Sequence, residues 1–282
     1  MRNLSDISVI REVMEKHGFN FSKALGQNFL INPSVCPRMA EAAITEEHMG
    51  AIEIGAGVGV LTAELAKRAE KVVCVELDSR LLPVLDETLS DFDNVEIVNA
   101  DVMKVDLHEL IKEKFPGMKV VVCANLPYYI TSPIITMLLE SKLPIESITV
   151  MVQKEAADRL CAGVGSRDSG AITVCTEYYA QTRQLFNVSR GSFMPAPNVD
   201  STVIQLNVRK EPPVKVSDEK KFFKMVKAAF SQRRKTAVNS ISSGMGIPKS
   251  QVTEALLVSG LSENVRAEKL SIEELAVLCE NL

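Results

Sequence analysis

The sequence predicts an α/β fold: a doubly wound, mostly parallel sheet, followed by a small all-α domain. Three observations lead there. Short apolar runs alternate with helical segments through the first half of the chain. A glycine-rich turn, Gly55-Ala56-Gly57-Val58-Gly59, follows the first of those runs and opens a helix. Beyond Glu211-Pro212-Pro213 every periodic segment reads as helix.

The elements follow in order. Residues 33–49 predict a helix, with Asn32 as its cap and Pro33 at the first position, where a missing N–H is harmless. Residues 51–54 form an apolar run stopped by glycines, and 61–68 are helical. Residues 71–77 are rich in valine and predict a strand, 80–89 a helix, and 95–99 a strand that ends before Asp101. Two more strands are predicted over 120–124, closing at Asn125, and over 148–153. Strands separated by helical segments make β-α-β units, hence a parallel sheet covered on both faces. The runs 171–179, 184–188 and 202–208 have no long helix between them and predict antiparallel strands added at one edge. The prolines at 212 and 213 remove donors and fix extended backbone, so the domain boundary is placed there, with residues 1–210 before it and 211–282 after it. Helices over 218–231, 251–259 and 272–282 make up the second domain.

Composition bounds the function. In 282 residues, 46% are hydrophobic and 24% charged, values that argue for a folded globular chain. No apolar run approaches the roughly 20 residues that span a bilayer, and the first residues lack an apolar signal core, so the cytoplasm is the expected location. The six cysteines include no C-x-x-C pair and the three histidines no cluster, so no metal site is expected. Cys74 and Cys123 sit in strand-like runs and are expected to be small buried hydrophobes. The net charge of −4 conceals an asymmetry: residues 207–235 carry ten basic and three acidic side chains, so this stretch is +7 and the remainder −11. A basic belt on an acidic body suits a local polyanion contact, although a solvated helix face would look the same.

Three features carry chemistry. The glycine-rich turn lies at the carboxyl edge of the sheet, where ligands bind in doubly wound folds. It does not meet the dinucleotide fingerprint, because Val60 stands where the last glycine would be. Glu76, at the end of the second strand, could accept from both hydroxyls of a ribose, which suits a nicotinamide dinucleotide and S-adenosylmethionine equally; it or Asp78 could instead cap the next helix. Asp101, after the third strand, could accept from an adenine amine or simply serve a turn. Asn125-Leu126-Pro127-Tyr128 closes the fourth strand. The Asn125 side-chain oxygen and the Leu126 carbonyl offer two acceptors for an aromatic amine, Pro127 stiffens the turn, and Tyr128 offers a face on which an extruded base could stack.

These residues, with others, resemble the KsgA-type (also called RsmA) family of ribosomal RNA adenine dimethyltransferases. The likeness runs nearly end to end. It includes Lys23-Ala24-Leu25-Gly26-Gln27-Asn28-Phe29-Leu30, the loop from Glu53 to Thr62 with Ala56 where proline is more usual, Glu76-Leu77-Asp78 and Ala100-Asp101-Val102-Met103. It continues through Asn125 to Tyr128, Gln153-Lys154-Glu155, and the stretch from Phe193 through Met194-Pro195-Ala196-Pro197-Asn198-Val199-Asp200 to Ser201.

The resemblance implies a Rossmann-like class I methyltransferase with a seven-stranded sheet, an antiparallel edge strand, and a small all-α C-terminal domain. It implies S-adenosyl-L-methionine as cofactor and S-adenosyl-L-homocysteine as product. Gln27, Asn28 and Leu30 would close over the methionine end. Gly55 and Gly57 would approach by backbone, Glu76 and Leu77 would sit at the ribose, and Asp101 and Val102 at the cofactor's adenine. Asn125 would serve cofactor and target amine. Leu126 and Pro127 would complete the catalytic corner, and Tyr128 and Phe193 would sandwich the target adenine. The implied substrate is a pair of adjacent adenosines near the 3′ end of 16S rRNA, in a small subunit or its precursor, met by a monomer without a membrane partner. Lys220, Lys224, Lys227, Arg233, Arg234 and Lys235 are the candidates for RNA contact. Three other readings stand beside this one: a related enzyme acting on large-subunit rRNA, a non-enzymatic assembly checkpoint, and a nicotinamide oxidoreductase, which would leave residues 125–128 without a task.

Overall fold

A computed structural model describes residues 4, 6–18 and 28–282. The chain separates into two compact units, one of residues 1–157 and 183–208 and the other of 158–182 and 209–282.

In the first unit, α1 (Ile7–Lys16) is followed by the two-residue strand β1 (Phe29–Leu30) and α2 (Val35–Ala43). Then come β2 (Met49–Ile54), α3 (Val60–Ala66), β3 (Lys71–Glu76), α4 (Leu82–Thr88), β4 (Val95–Asn99) and α5 (Leu107–Lys114). The alternation continues with β5 (Lys119–Asn125), α6 (Thr131–Glu140), β6 (Ser147–Gln153) and α7 (Lys154–Leu160). Later in the chain lie α8 (Ala171–Tyr179), β7 (Ala180–Val188), β8 (Phe193–Met194) and β9 (Ser201–Val208).

The seven-stranded sheet has the order β4-β3-β2-β5-β6-β9-β7. The pairs β2–β3, β3–β4, β2–β5 and β5–β6 are parallel, whereas β9 runs antiparallel to β6. The antiparallel strand is therefore seated between β6 and the edge strand β7. The chain winds outward from β2 through β3 to β4, then returns and winds the other way from β5. That reversal opens a crevice beyond the carboxyl ends of β2 and β5, the position at which doubly wound sheets bind ligands. Every residue of β2 is buried, as a strand covered on both faces requires.

The first predicted helix is shorter than expected. Asn32 accepts the Ser34 N–H at 3.1 Å, which makes a turn rather than a cap, and the helix starts at Val35 and stops at Ala43. Residues 49 and 50 belong to β2, where Gly50 pairs with both Lys71 and Val120. Gly50 is dictated by packing: a Cβ there would lie 2.2 Å from the buried Phe115 ring.

In the second unit, α9 (Glu219–Ala229), α10 (Ala237–Met245), α11 (Lys249–Val258) and α12 (Ile272–Asn281) join α8. Residues 171–179, expected to be a strand, are helical, and the segment 158–182 belongs with the C-terminal helices. The cause is tertiary. Thr173 Oγ1 donates to the Arg159 carbonyl at 2.8 Å and Thr176 Oγ1 to the Leu160 carbonyl at 3.0 Å. The Tyr178 ring packs edge-on to Phe223 with centroids 5.2 Å apart, and Tyr179 stacks on Phe223 at 5.3 Å. These contacts need tyrosines and threonines on different sides of a helix, and they override the β-propensity of the same residues. Helix α10 was not predicted either, since AVNSISSGM is rich in residues that favour turns. It is held by Thr236, whose hydroxyl caps the Asn239 N–H, and by Gly246 in the left-handed region (φ 71°) at its end.

Gly50→Ala should destabilise the protein by roughly 1–3 kcal/mol through overpacking. Adding Phe115→Leu should recover part of that loss, as read by urea unfolding; additive losses would show that the ring is not the obstacle.

Candidate active site

The crevice is built from four strand ends and one small sheet. After β2 the chain turns through Gly55, Gly57 and Gly59, with φ of 77°, 59° and 87°, a region that residues with a Cβ avoid. Ala63 N–H donates to the Gly59 carbonyl at 2.9 Å, so α3 begins directly off the turn. A Cβ at Gly55 would meet no atom within 4 Å beyond its chain neighbours, and Gly55 lines the cleft.

Two carboxylates brace this turn. Glu76, at the end of β3 and 6% exposed, accepts the Gly57 N–H at 3.2 Å on one oxygen and the Asp78 N–H at 2.8 Å on the other. Its pKa is raised, chiefly by burial, with the N–H donors opposing. Helix capping falls to Asp78, which accepts the Arg80 N–H at 3.2 Å and grips the Arg80 guanidinium at 2.8 and 2.6 Å. Glu53, at 1% exposure, accepts the Thr62 hydroxyl of α3 at 2.6 Å and the Cys74 thiol of β3 at 3.4 Å. Burial pushes its carboxyl up to about 7, the two donors pull the other way, and Glu76 adds to the rise. The Cys36, Cys74 and Cys123 thiols are buried and their pKa values are pushed well up for the same reason.

Asp101 follows β4. It accepts the Met103 N–H at 3.0 Å, so it does serve a turn, and its side chain still borders the cleft. At the end of β5, the Leu126 N–H donates to the Met151 carbonyl at 3.2 Å, which fixes the corner to β6. The Asn125 side-chain amide has no hydrogen-bond partner among the described residues, and its oxygen is left to the cleft it lines. The Pro127 carbonyl accepts the Ile130 N–H at 3.2 Å and the Thr131 hydroxyl at 3.3 Å, starting a short 3-10 turn (Tyr128–Ile130) that leads into α6. The Tyr128 hydroxyl hydrogen-bonds Ser201 Oγ at 2.8 Å, and burial raises its pKa.

The small sheet closes the site. Phe29 pairs with Met194 and Leu30 with Phe193, antiparallel, and the Ile31 N–H donates to the Ser192 carbonyl at 2.8 Å. Two motifs more than 160 residues apart in the chain thus form one wall. The Phe29 ring lies 3.4 Å from the place of a Cβ on Gly57.

The cleft is lined by Asn28, Leu30, Gly55, Gly57, Glu76, Leu77, Asp101, Val102, Asn125, Leu126, Pro127, Tyr128 and Phe193, which are the expected cofactor and catalytic residues with one exception. That exception, Gln27, lies outside the described residues together with Lys23, Ala24, Leu25 and Gly26. Glu53 and Tyr129 also line the cleft and were not assigned a role from sequence. Glu53 could have been suspected, as an acidic residue inside an otherwise apolar strand. The six basic candidates, Lys220, Lys224, Lys227, Arg233, Arg234 and Lys235, do not line it; all are exposed on α9 or the loop after it. The Arg233 guanidinium also donates to the Arg167 carbonyl at 3.0 Å.

The sheet order with its antiparallel strand, the glycine turn and the acidic strand end define a Rossmann-like class I methyltransferase. The chain belongs to the ribosomal RNA adenine dimethylase family, whose model matches residues 18–282. It is 47% identical to the ribosomal RNA small subunit methyltransferase A of Alkaliphilus oremlandii over 100% of this chain and 99% of that protein. It is 48% identical to the protein of the same description from Bacillus cytotoxicus, over 100% and 98%. Among solved structures it is similar to the 23S rRNA methyltransferase ErmE, with a TM-score of 0.67 and 30% identity over 90% of this chain and 99% of that one.

The raised Glu53 carboxyl has a consequence for stability. A folded-state pKa above the unfolded value contributes stability that is full below the ordinary carboxylate range and is lost as pH rises through about 7. Against Glu53→Gln, the wild-type chain without cofactor should therefore lose about 2–3 kcal/mol of relative stability between about pH 5 and pH 8. Parallel stability profiles in urea unfolding would refute the assignment.

Proposed function

We propose that this protein transfers methyl groups from S-adenosylmethionine to the exocyclic amines of two adjacent adenosines near the 3′ end of 16S rRNA, as a step in building the small ribosomal subunit. The observation that carries the reading is the corner after β5, where an Asn125 amide with no described protein partner stands beside the Leu126 carbonyl on the cleft wall. Family membership and the full-length likeness to small-subunit enzymes support the same substrate. The likeness to the enzyme described as acting on 23S rRNA is weaker, at 30% identity.

The residues fit the cofactor. Gly55 leaves room where a side chain would stand, and Glu76 presents a buried carboxylate beside the Gly57 N–H, suited to ribose hydroxyls. Asp101 borders the same side of the cleft and suits an adenine amine. When bound, S-adenosylmethionine supplies an electrophilic methyl group on a sulfonium.

The protein's part is to prepare the nucleophile. The lone pair of an adenine amine is delocalised into the ring, so the nitrogen is a poor nucleophile. Asn125 Oδ1 and the Leu126 carbonyl accept its two N–H groups and hold the nitrogen so that its lone pair faces the cofactor site. The methylated nitrogen is strongly acidic and would release its surplus proton to water, so no strong base is needed and positioning does most of the work. Tyr128, tied to Ser201, and Phe193, held in the small sheet, supply aromatic faces for an extruded base. A second transfer requires the corner to accept a monomethylated amine, which presents one N–H rather than two.

The helical unit carries the RNA-backbone contacts. Its exposed lysines on α9 and Arg233-Arg234-Lys235 suit phosphate, and the enzyme acts in the cytoplasm as a monomer. No described helix is long and apolar enough to cross a membrane.

The test is mass spectrometry of rRNA after incubation with labelled cofactor, offering small-subunit precursors and naked large-subunit RNA side by side. N6,N6-dimethyladenosine in 16S rRNA is expected; label confined to 23S rRNA would overturn the substrate. Asn125→Ala should lower kcat by roughly 10²–10³ with a thermal midpoint close to wild type, and a wild-type rate would remove Asn125 from the mechanism. Replacing Arg234 and Lys235 together by alanine should flatten the log–log salt dependence of RNA binding by about two while S-adenosylmethionine affinity is unchanged. An unaltered slope would place the phosphate contacts elsewhere.

A further inference from the structure

We propose that Tyr129 forms a second nucleobase subsite, a stacking platform for the nucleotide that flanks the reacting adenosine. The inference rests on the reading above, that an adenosine within an RNA strand enters the cleft.

Tyr129 is 62% exposed, the most exposed large hydrophobic side chain of the first unit among the described residues. It lines the same cleft as Asn125, Pro127 and Tyr128. Its backbone is held on both sides. Tyr128 is anchored to Ser201 at 2.8 Å, and the Ile130 N–H and Thr131 hydroxyl both bond the Pro127 carbonyl. The Tyr129 ring itself has no hydrogen bond and no aromatic contact with a described residue. A rigid backbone thus presents a bare ring at the mouth of the cleft.

The chemistry of the substrate says what that ring meets. An adenosine withdrawn from a strand brings its neighbours to the entrance, unstacked from the base that has left. A neighbour that loses its stacking partner regains one on an aromatic face, and stacking on protein rings tolerates any base because every base has a π-face. Tyr128, half-buried, and Tyr129, exposed, are consecutive residues of one 3-10 turn, so the two rings project in different directions from a common backbone. Tyr128 serves the base inside, and Tyr129 the base left outside.

The experiment is a coupling measurement between Tyr129 and the flanking base. Wild type, Tyr129→Ala and Tyr129→Phe are assayed on small-subunit precursors carrying intact RNA, or an abasic nucleotide immediately 5′ or immediately 3′ of the adenosine pair. On intact RNA, Tyr129→Ala should raise KM for RNA roughly five- to hundredfold, with kcat and S-adenosylmethionine affinity within about twofold of wild type; Tyr129→Phe should behave as wild type. One of the two abasic substrates should cost the wild type a similar factor and cost Tyr129→Ala little more. The inference is overturned by an unchanged KM, by Tyr129→Phe failing as badly as Tyr129→Ala, or by losses that multiply on both abasic substrates. A wild-type enzyme that does not methylate small-subunit rRNA would defeat the underlying reading and this subsite with it; a wild type active on that RNA but uncoupled to the flanking base defeats the subsite alone.

Discussion

The geometry of the cleft depends on how one stretch of backbone, residues 53–59, is held. Glycine torsions alone would leave that turn loose, since glycine is the residue with the most freedom to lose. The turn is instead fastened from two sides by carboxylates. Glu76 takes the Gly57 N–H from the neighbouring strand, and Glu53 takes the Thr62 hydroxyl from the first turns of α3. Both acids are nearly fully buried, and burial raises the pKa of each. A buried carboxyl costs less when it is protonated or well supplied with donors. Glu76 has two N–H donors, whereas Glu53 has a hydroxyl and a thiol, and it is Glu53 whose carboxyl reaches about 7. The same two side chains that would meet a bound cofactor or its surroundings also set the shape of the turn before any ligand arrives.

A second fastening works over a longer range. Phe29 and Leu30 contribute only two residues to a strand, too few to be stable alone. Their pairing with Phe193 and Met194 succeeds because both segments are already anchored: Ile31 bonds Ser192, the Asn32 side chain bonds the Ser192 hydroxyl, and Ser201, a few residues on, is locked into β9 opposite Gln153. Ser201 also holds the Tyr128 hydroxyl. The stretch 193–201 therefore ties the N-terminal motif to the corner after β5, and the aromatic walls of the cleft are positioned by segments remote in sequence.

The parts of the molecule that line the cleft were the more legible ones in the sequence. Glycines with positive φ, an acid ending a strand, and the Asn-Leu-Pro-Tyr corner are local devices, each needing particular residue types whatever surrounds them. The strands of the sheet were legible for a similar reason, since runs buried on both faces have few polar positions. Part of what could not be read was decided by partners farther along the chain. Residues 171–179 have the composition of a strand, yet Thr173, Thr176 and Tyr178 find carbonyls and rings that suit only a helix. Helix α10 hides behind serines whose hydroxyls are taken up locally, such as Ser242 to the Ile247 carbonyl at 2.6 Å. Nor does a proline pair show that residues 158–182, upstream of it, join the helices beyond it. The sequence marks where a chain is interrupted, not which side chains later meet.

Charge divides the labour differently from fold. The cleft is lined by acids and apolar groups and none of the six basic candidates lies in it, so it has little to offer a phosphate backbone. A polyanionic strand entering such a site needs its charge met elsewhere, and the +7 of residues 207–235 is the largest local excess in a chain of net −4. Phosphate contacts supply affinity without reading sequence, while the contacts that discriminate are made to bases. On the proposed reading, cations that do not line the cleft would let binding strength and chemistry be set by different residues. Among the described residues no cation is paired with Glu53 or Glu76, and Glu76 is left to its N–H donors. On the proposed reading, selectivity for adenine would come from a handful of neutral groups in the corner after β5, where hydrogen-bond geometry rather than charge decides what can be held.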